Sequence, residues 1–179
     1  MWDNYWIGKN ILCLKLKITI KLFYFFLICN FDNIRLKSYA GKKLSSHAMP
    51  MNFSHINIGI PGTGKKVDQW HLDSVGYVLV VMMSETKDMV GGELQVLTRD
   101  RDDNALEILN SQTDSYTPEE IISVNYATAG RGIFMQGSHI FHQVTAVVSG
   151  PRPRISLVFI LFFFVLQLLL FKPYFETKG

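Results

Sequence analysis

Short apolar runs separated by glycine-rich turns dominate the middle of the chain, between about residues 53 and 160. Alternation of apolar and polar residues, and short continuous runs of β-branched residues, are typical of strands. The segments that fit this pattern are 55–58, 77–83, 95–97, 133–136, 139–144 and 154–159. Several short strands with almost no helix favour an all-β sandwich or barrel of the jelly-roll kind.

One segment in this region carries a helix signal. Thr117-Pro118-Glu119-Glu120 has the form of a capping box with proline at the first helical position. The motif predicts a short helix over residues 118–123. Residues 99–104 are charged and are expected to form a surface loop.

The two ends of the chain differ from the middle. Residues 11–31 are apolar and aromatic but contain three lysines, which argues against a clean membrane-spanning helix, and residues 32–52 read as a polar linker. An uncharged run of seventeen apolar or near-apolar residues, 155–171, continues past residue 159 and is just short of a full span. We interpret it either as a membrane anchor or as sequence that is not authentic coding sequence. The predicted division is an N-terminal extension at 1–52, a domain at 53–160 and a hydrophobic tail at 161–179.

Composition and charge exclude some classes of protein. With 179 residues, 48% of them hydrophobic, the chain has enough apolar residues for the core of one ordinary domain and is not disordered. The net charge of +3 combines a basic front end with an acidic middle. The basic residues of the front end alternate with apolar ones and form no dense patch, so we expect no nucleic-acid partner. The two cysteines, Cys13 and Cys29, are too few for a disulfide framework and are expected to be buried thiols.

Residues 59–66 raise a different possibility, because they match a phosphate-binding loop up to the last position. There Lys66 replaces the serine or threonine whose hydroxyl would bind magnesium. A phosphate-binding loop must also open a helix, whereas residues 67–71 show no helical period. We therefore interpret the segment as a turn and keep nucleotide binding as an alternative.

The candidate metal-binding residues begin with the segment Gln69-Trp70-His71-Leu72-Asp73. In an extended strand His71 and Asp73 share one face, because side chains alternate with a period of two. A lone histidine in a strand is usually a hydrogen-bonded structural residue. Together with His142, however, the pair would supply two imidazoles and one carboxylate, the facial triad that suits non-haem iron(II) and leaves coordination positions open.

Four motifs occur in one order that resembles a known family. They are Gln69-Trp70-His71-x-Asp73, Gly91-Gly92-Glu93-Leu94, the segment from Gly132 to Gly137 leading to His142-x-Val144, and Arg154-x-Ser156. The order is similar to that of the iron(II)- and 2-oxoglutarate-dependent dioxygenases, particularly the phytanoyl-CoA dioxygenase-like branch. The resemblance implies a double-stranded β-helix. We expect an incomplete one, because the helical sequence that normally precedes the metal strand is replaced here by the short apolar and basic stretch.

The resemblance also implies a set of site residues. His71, Asp73 and His142 would bind iron, and Arg154 with Ser156 would hold the distal carboxylate of 2-oxoglutarate. His139 is the competing distal histidine, but His142 stands at the family's spacing. Arg152 competes with Arg154; it lies between two prolines, which belong to the turn before the strand.

The resulting functional hypothesis is an oxygenase that hydroxylates a small hydrophobic substrate and releases succinate and carbon dioxide. Its implied cofactor is Fe(2+), its cosubstrate is 2-oxoglutarate, and its partners are the small-molecule substrate and molecular oxygen, with membrane contact through the hydrophobic termini. The alternative hypothesis is a non-catalytic, membrane-associated remnant of the same fold.

Overall fold

The computed structural model describes residues 5–6, 11–15, 39–41, 44–46, 54–98, 116–124 and 128–163. These ranges contain twelve strands and one short 3-10 helix at Pro118–Glu120, and residues 39–40 are helical. The strands are β1 (Tyr5–Trp6), β2 (Ile11–Lys15), β3 (Leu44–Ser46), β4 (Ser54–Gly59), β5 (Lys66–His71), β6 (Tyr77–Met82), β7 (Val90–Gly91), β8 (Leu94–Leu97), β9 (Ile121–Val124), β10 (Arg131–Met135), β11 (His142–Ser149) and β12 (Arg154–Phe163).

The strands form two antiparallel sheets. The seven-stranded sheet has the order β1-β2-β10-β6-β12, and both β3 and β4 pair with the other side of β12. The five-stranded sheet has the order β5-β11-β8-β9, with β7 also paired to β11. From β4 onward the chain passes between the sheets at every connection except those from β7 to β8 and from β8 to β9, which stay in the five-stranded sheet. This connectivity confirms the predicted jelly-roll fold, which is formed by the eight strands from β4 to β12 without the short β7.

The core lies between the sheets. Strand β6 lies between β10 and β12, and five of its six residues are buried, as its continuous apolar run predicts. Removing one such side chain from water is worth about 1.5–3 kcal/mol. The buried residues that form this core are Val78, Met82, Leu94, Val96, Val124, Ile133, Met135, Ile140, Val144 and Val158.

Two sequence predictions about element bounds are wrong. The helix expected over 118–123 ends at Glu120, and Ile121–Val124 is strand β9, because the edge of β8 offers it a hydrogen-bonding ladder. The capping box itself forms, with the Thr117 amide donating to Glu120 Oε2 at 2.8 Å. The strand expected from residue 139 begins only at His142, after a turn.

The structure also extends the sheet beyond the predicted domain. Strand β2, from the N-terminal extension, pairs with β10, and the last part of β12, Leu161 to Phe163, pairs with β3. The predicted division of the chain stays a prediction. The remainder of the apolar N-terminal segment, the charged residues 99–104 and the tail after residue 163 lie outside the described residues. Among the residues described here, no helix is long and apolar enough to span a bilayer.

Candidate active site

Two neighbouring strands place His71 and His142 side by side. They are directly paired in the β5–β11 ladder, and their ring centroids are 4.3 Å apart. Each Nδ1 lies close to the carbonyl two residues earlier, at 2.7 Å from Gln69 O and 2.8 Å from Ile140 O. A carbonyl only accepts hydrogen bonds, so Nδ1 carries the proton in both rings. In the neutral form of either ring the lone pair is therefore on Nε2, as in metal-ligating histidines.

Asp73 completes the group from outside the strand. The two-residue spacing predicts that Asp73 lies in an extended strand with His71, but β5 ends at His71, and the Asp73 amide instead donates to Gly137 O at 3.0 Å. Its Oδ1 lies 3.4 Å from His71 Nε2, and its Oδ2 lies 3.9 Å from His142 Nε2. One ligand atom from each of the three residues lies within 4.8 Å of the others. The structure thus brings the three sequence-predicted residues together.

The electrostatics of the group depend on burial and on the Asp73 carboxylate. The hydrogen bond to Asp73 is the main cause that raises the pKa of His71 to about 9, against an opposing effect of burial. Burial lowers the pKa of His142. Asp73 Oδ2 is buried without a hydrogen-bond partner, which normally costs about 1–3 kcal/mol. A divalent cation between two Nε2 lone pairs and this oxygen would offset that cost, so the donor set fits a metal.

A cavity of about 200 Å³ opens beside the three residues, between the sheets. Apolar atoms make up most of its wall, although eight of its sixteen lining residues are polar or charged. Its lining residues are His55, Asn57, Asp68, His71, Asp73, Ser74, Val75, Val78, Val80, Leu94, Met135, His142, Val144, Ser156, Val158 and Ile160.

Arg154 and Ser156 share one face of β12, as the two-residue spacing predicts. Arg154 is fully buried, its Nε donates to Gly92 O at 2.7 Å, and its Nη1 donates to Ser156 Oγ at 3.0 Å. Ser156 lines the cavity. Gly92 has φ +72°, and a Cβ there would lie 2.9 Å from Arg154 Cδ. The Gly91-Gly92 motif therefore makes room for the arginine and supplies its carbonyl partner, a role that the sequence analysis does not identify.

The competing residues lie elsewhere. His139 is exposed in the turn before β11, with Nδ1 2.9 Å from Ser138 Oγ. Arg152 is exposed in the turn before β12. The segment that resembles a phosphate-binding loop is a turn whose Gly62 amide donates to Val147 O. Lys66 opens strand β5 and not a helix, so the requirement for a helix N-terminus is not met.

Comparison with known proteins finds similar folds at low sequence identity. A 2OG-Fe(II) oxygenase family oxidoreductase from Burkholderia pseudomallei is 13% identical, with a TM-score of 0.49 over 90% of this chain and 71% of that one. A prolyl-4-hydroxylase from Pseudomonas putida is 15% identical, with a TM-score of 0.44 over 90% and 77%. A bsmA homolog from Methylobium petroleophilum PM1 is 18% identical, with a TM-score of 0.37 over 59% and 36%, so this chain spans little more than a third of its length.

One of these structural neighbours is a 2OG-Fe(II) oxygenase family protein. At these identities and TM-scores the likeness carries no conclusion about the activity of this chain. No protein-family model and no curated protein matches the sequence.

Proposed function

We propose that this protein is an iron(II)- and 2-oxoglutarate-dependent oxygenase. The observation that carries the proposal is the buried, unpartnered Asp73 Oδ2 beside the Nε2 atoms of His71 and His142. Two imidazoles and one carboxylate are the donor set of the non-haem iron(II) facial triad, which leaves positions open for other ligands. Bound there, iron(II) would supply the oxidising chemistry that turns 2-oxoglutarate and oxygen into succinate and carbon dioxide while a substrate is hydroxylated.

Backbone groups of the protein orient the proposed metal ligands. The carbonyls of Gln69 and Ile140 hold each imidazole through Nδ1, which fixes the direction of Nε2. The cavity lies between the two sheets, beside the three proposed ligands. His71 and His142 come from directly paired strands, which hold the two imidazoles in place before an ion binds.

Arg154 and Ser156 are the proposed cosubstrate clamp. A guanidinium offers parallel donors that suit a carboxylate, and the Ser156 hydroxyl beside it lines the cavity. Their position on β12, across the cavity from the five-stranded sheet that carries the two histidines, supports one ligand contacting both groups.

The substrate is proposed to be a small molecule with an apolar body. The supporting observation is the wall of valine, leucine, isoleucine and methionine side chains around the cavity. Assignment to the phytanoyl-CoA dioxygenase-like branch rests on the order of the sequence motifs and stays a prediction.

The test combines binding and turnover. Anaerobic addition of ferrous iron and then 2-oxoglutarate to the purified full chain should produce the visible charge-transfer absorption of an iron(II)–2-oxo acid chelate. Admission of air should then yield succinate. Absence of iron binding would contradict the proposal, whereas bound iron without succinate, over a range of small substrates, would favour the non-catalytic alternative.

A further inference from the structure

A β-bulge in β5 turns an additional carboxylate into the cavity. His142 pairs with His71, and Val144 pairs with Asp68, so two steps along β11 correspond to three steps along β5. In a regular strand, residues three apart face opposite sides. The extra residue places Asp68 on the same side as His71, and both line the cavity. Bulges of this kind re-aim side chains beside active sites.

Asp68 does not form a hydrogen bond with the neighbouring His71. Its Oδ1 lies 3.7 Å from His71 Nδ1, too far for a good hydrogen bond, and that nitrogen already donates to Gln69 O at 2.7 Å. Within the described part of the chain, no lysine or arginine forms an ion pair with Asp68. The side chain is 40% exposed, so a ligand entering the cavity can reach it.

The charge of Asp68 would remain uncompensated in the loaded site. In the proposed function, Asp73 binds the cation, and Arg154 faces the dianionic cosubstrate. The ionisable residues that line the cavity are Asp68, Asp73, His55, His71 and His142. Asp73, His71 and His142 would bind the metal, so Asp68 is the carboxylate of this lining that neither the metal nor an arginine compensates. A carboxylate in a mostly apolar cavity attracts a cation more strongly than it would in open water.

We propose that Asp68 binds a positively charged nitrogen of the substrate, which makes a small amine or ammonium compound with an apolar carbon skeleton the substrate class. This inference rests on the proposed function, because it assumes that the cavity is the oxygenase active site. The apolar wall would hold the carbon skeleton, and Asp68 would select against neutral and acidic molecules of the same shape.

Three probes with one skeleton test the inference: n-pentylammonium, pentan-1-ol and pentanoate. Each is titrated anaerobically into the full chain loaded with ferrous iron and 2-oxoglutarate, and affinity is measured by calorimetry. Pentylammonium should bind most tightly. Asp68→Asn should weaken its binding about fivefold to tenfold, as expected for a partly exposed charged contact, and leave pentan-1-ol unchanged. Asp68→Lys should reverse the preference towards pentanoate.

Asp88→Asn is the matched control, because Asp88 is exposed in the loop before β7 and does not line the cavity. Equal affinities for the three probes, or equal losses in Asp68→Asn and Asp88→Asn, would overturn the inference. Iron binding is measured in the same samples before each titration. Intact iron binding without a preference for the amine would contradict this inference alone. A wild-type chain that binds no iron would contradict both the proposed function and this inference.

Discussion

The direction of each imidazole in the candidate metal site is decided by a backbone carbonyl. His71 and His142 each contact the carbonyl two residues earlier through Nδ1, so both Nε2 atoms are directed to Asp73. His139 lies in a turn, and its ring contacts Ser138 instead. The sequence favours His142 by its position after the turn. In the structure His142 lies beside Asp73, whereas His139 lies beside Ser138.

The two histidines should therefore differ in iron binding. We expect His142→Ala to lower iron(II) affinity at least about a hundredfold, because it removes a ligand that no described neighbour can replace. His139→Ala should leave affinity within about twofold. Equilibrium dialysis under nitrogen measures both, and a larger loss in His139→Ala would reverse the assignment.

Arg154 and Arg152 provide a second comparison between residues. Arg154 is buried and donates to Ser156 Oγ, whereas Arg152 is exposed in the turn. Arg154→Leu should greatly weaken or abolish 2-oxoglutarate binding and leave iron binding largely intact, because it removes the guanidinium and not a metal ligand. Arg152→Leu should do little.

Arg154→Lys controls for the effect of losing a buried side chain. It keeps the positive charge but not the forked donors, so we expect partial recovery of 2-oxoglutarate affinity relative to Arg154→Leu. Calorimetry on the iron-loaded variants gives the affinities, with circular dichroism to monitor folding. Equal losses from Arg152→Leu and Arg154→Leu would show that the clamp is assigned wrongly.

At the scale of strands and turns, alternation in the sequence predicts where strands lie but not how they are paired. Strand β6 could be predicted because a β-branched run on both faces fits only a central strand. The bulge that directs Asp68 inward could not, because it is a property of the register between β5 and β11. The strand Ile121–Val124 could not be predicted either, because it forms by pairing with β8 and not through local propensity.

The turn at Gly137 is the element that positions Asp73. A Cβ on Gly137 would overlap the Asp73 carboxylate, lying 2.7 Å from Cγ, while Gly137 O accepts the Asp73 amide. We expect Gly137→Ala to displace the carboxylate and lower iron affinity by about tenfold or more, comparable to other losses of ligand positioning. Metal titration measures the change.

Gly76→Ala is the matched control for this turn. Gly76 lies shortly before β6, and a Cβ there would meet no atom within 4 Å. It should leave iron affinity unchanged. Similar affinities for Gly137→Ala and the wild type would mean that Asp73 does not depend on this close contact.

For the whole molecule, the jelly-roll prediction depended on the number of short strands, whereas the candidate site depends on long-range assembly. The three proposed ligands come from β5, from the segment after it, and from β11, about 70 residues further along the chain. Strands β1, β2 and β3 also join the seven-stranded sheet from outside the predicted domain. Their pairing could not be predicted, because the alternation of basic and apolar residues in the N-terminal segment indicates strand character but does not specify a partner strand.

Because only the folded chain brings these ligands together, metal binding should stabilise the whole fold. With free iron(II) at about one hundred times its dissociation constant, linkage adds about 2.7 kcal/mol to the free energy of unfolding. For a chain of this size that corresponds to a rise in Tm of roughly 5–10 °C. Anaerobic thermal unfolding followed by circular dichroism measures the shift, and a chelator should reverse it. The shift should vanish in His142→Ala and persist in His139→Ala. A shift of equal size in His142→Ala would mean that the stabilising ion binds elsewhere, since that variant lacks one of the three donors that the fold brings within 4.8 Å of one another.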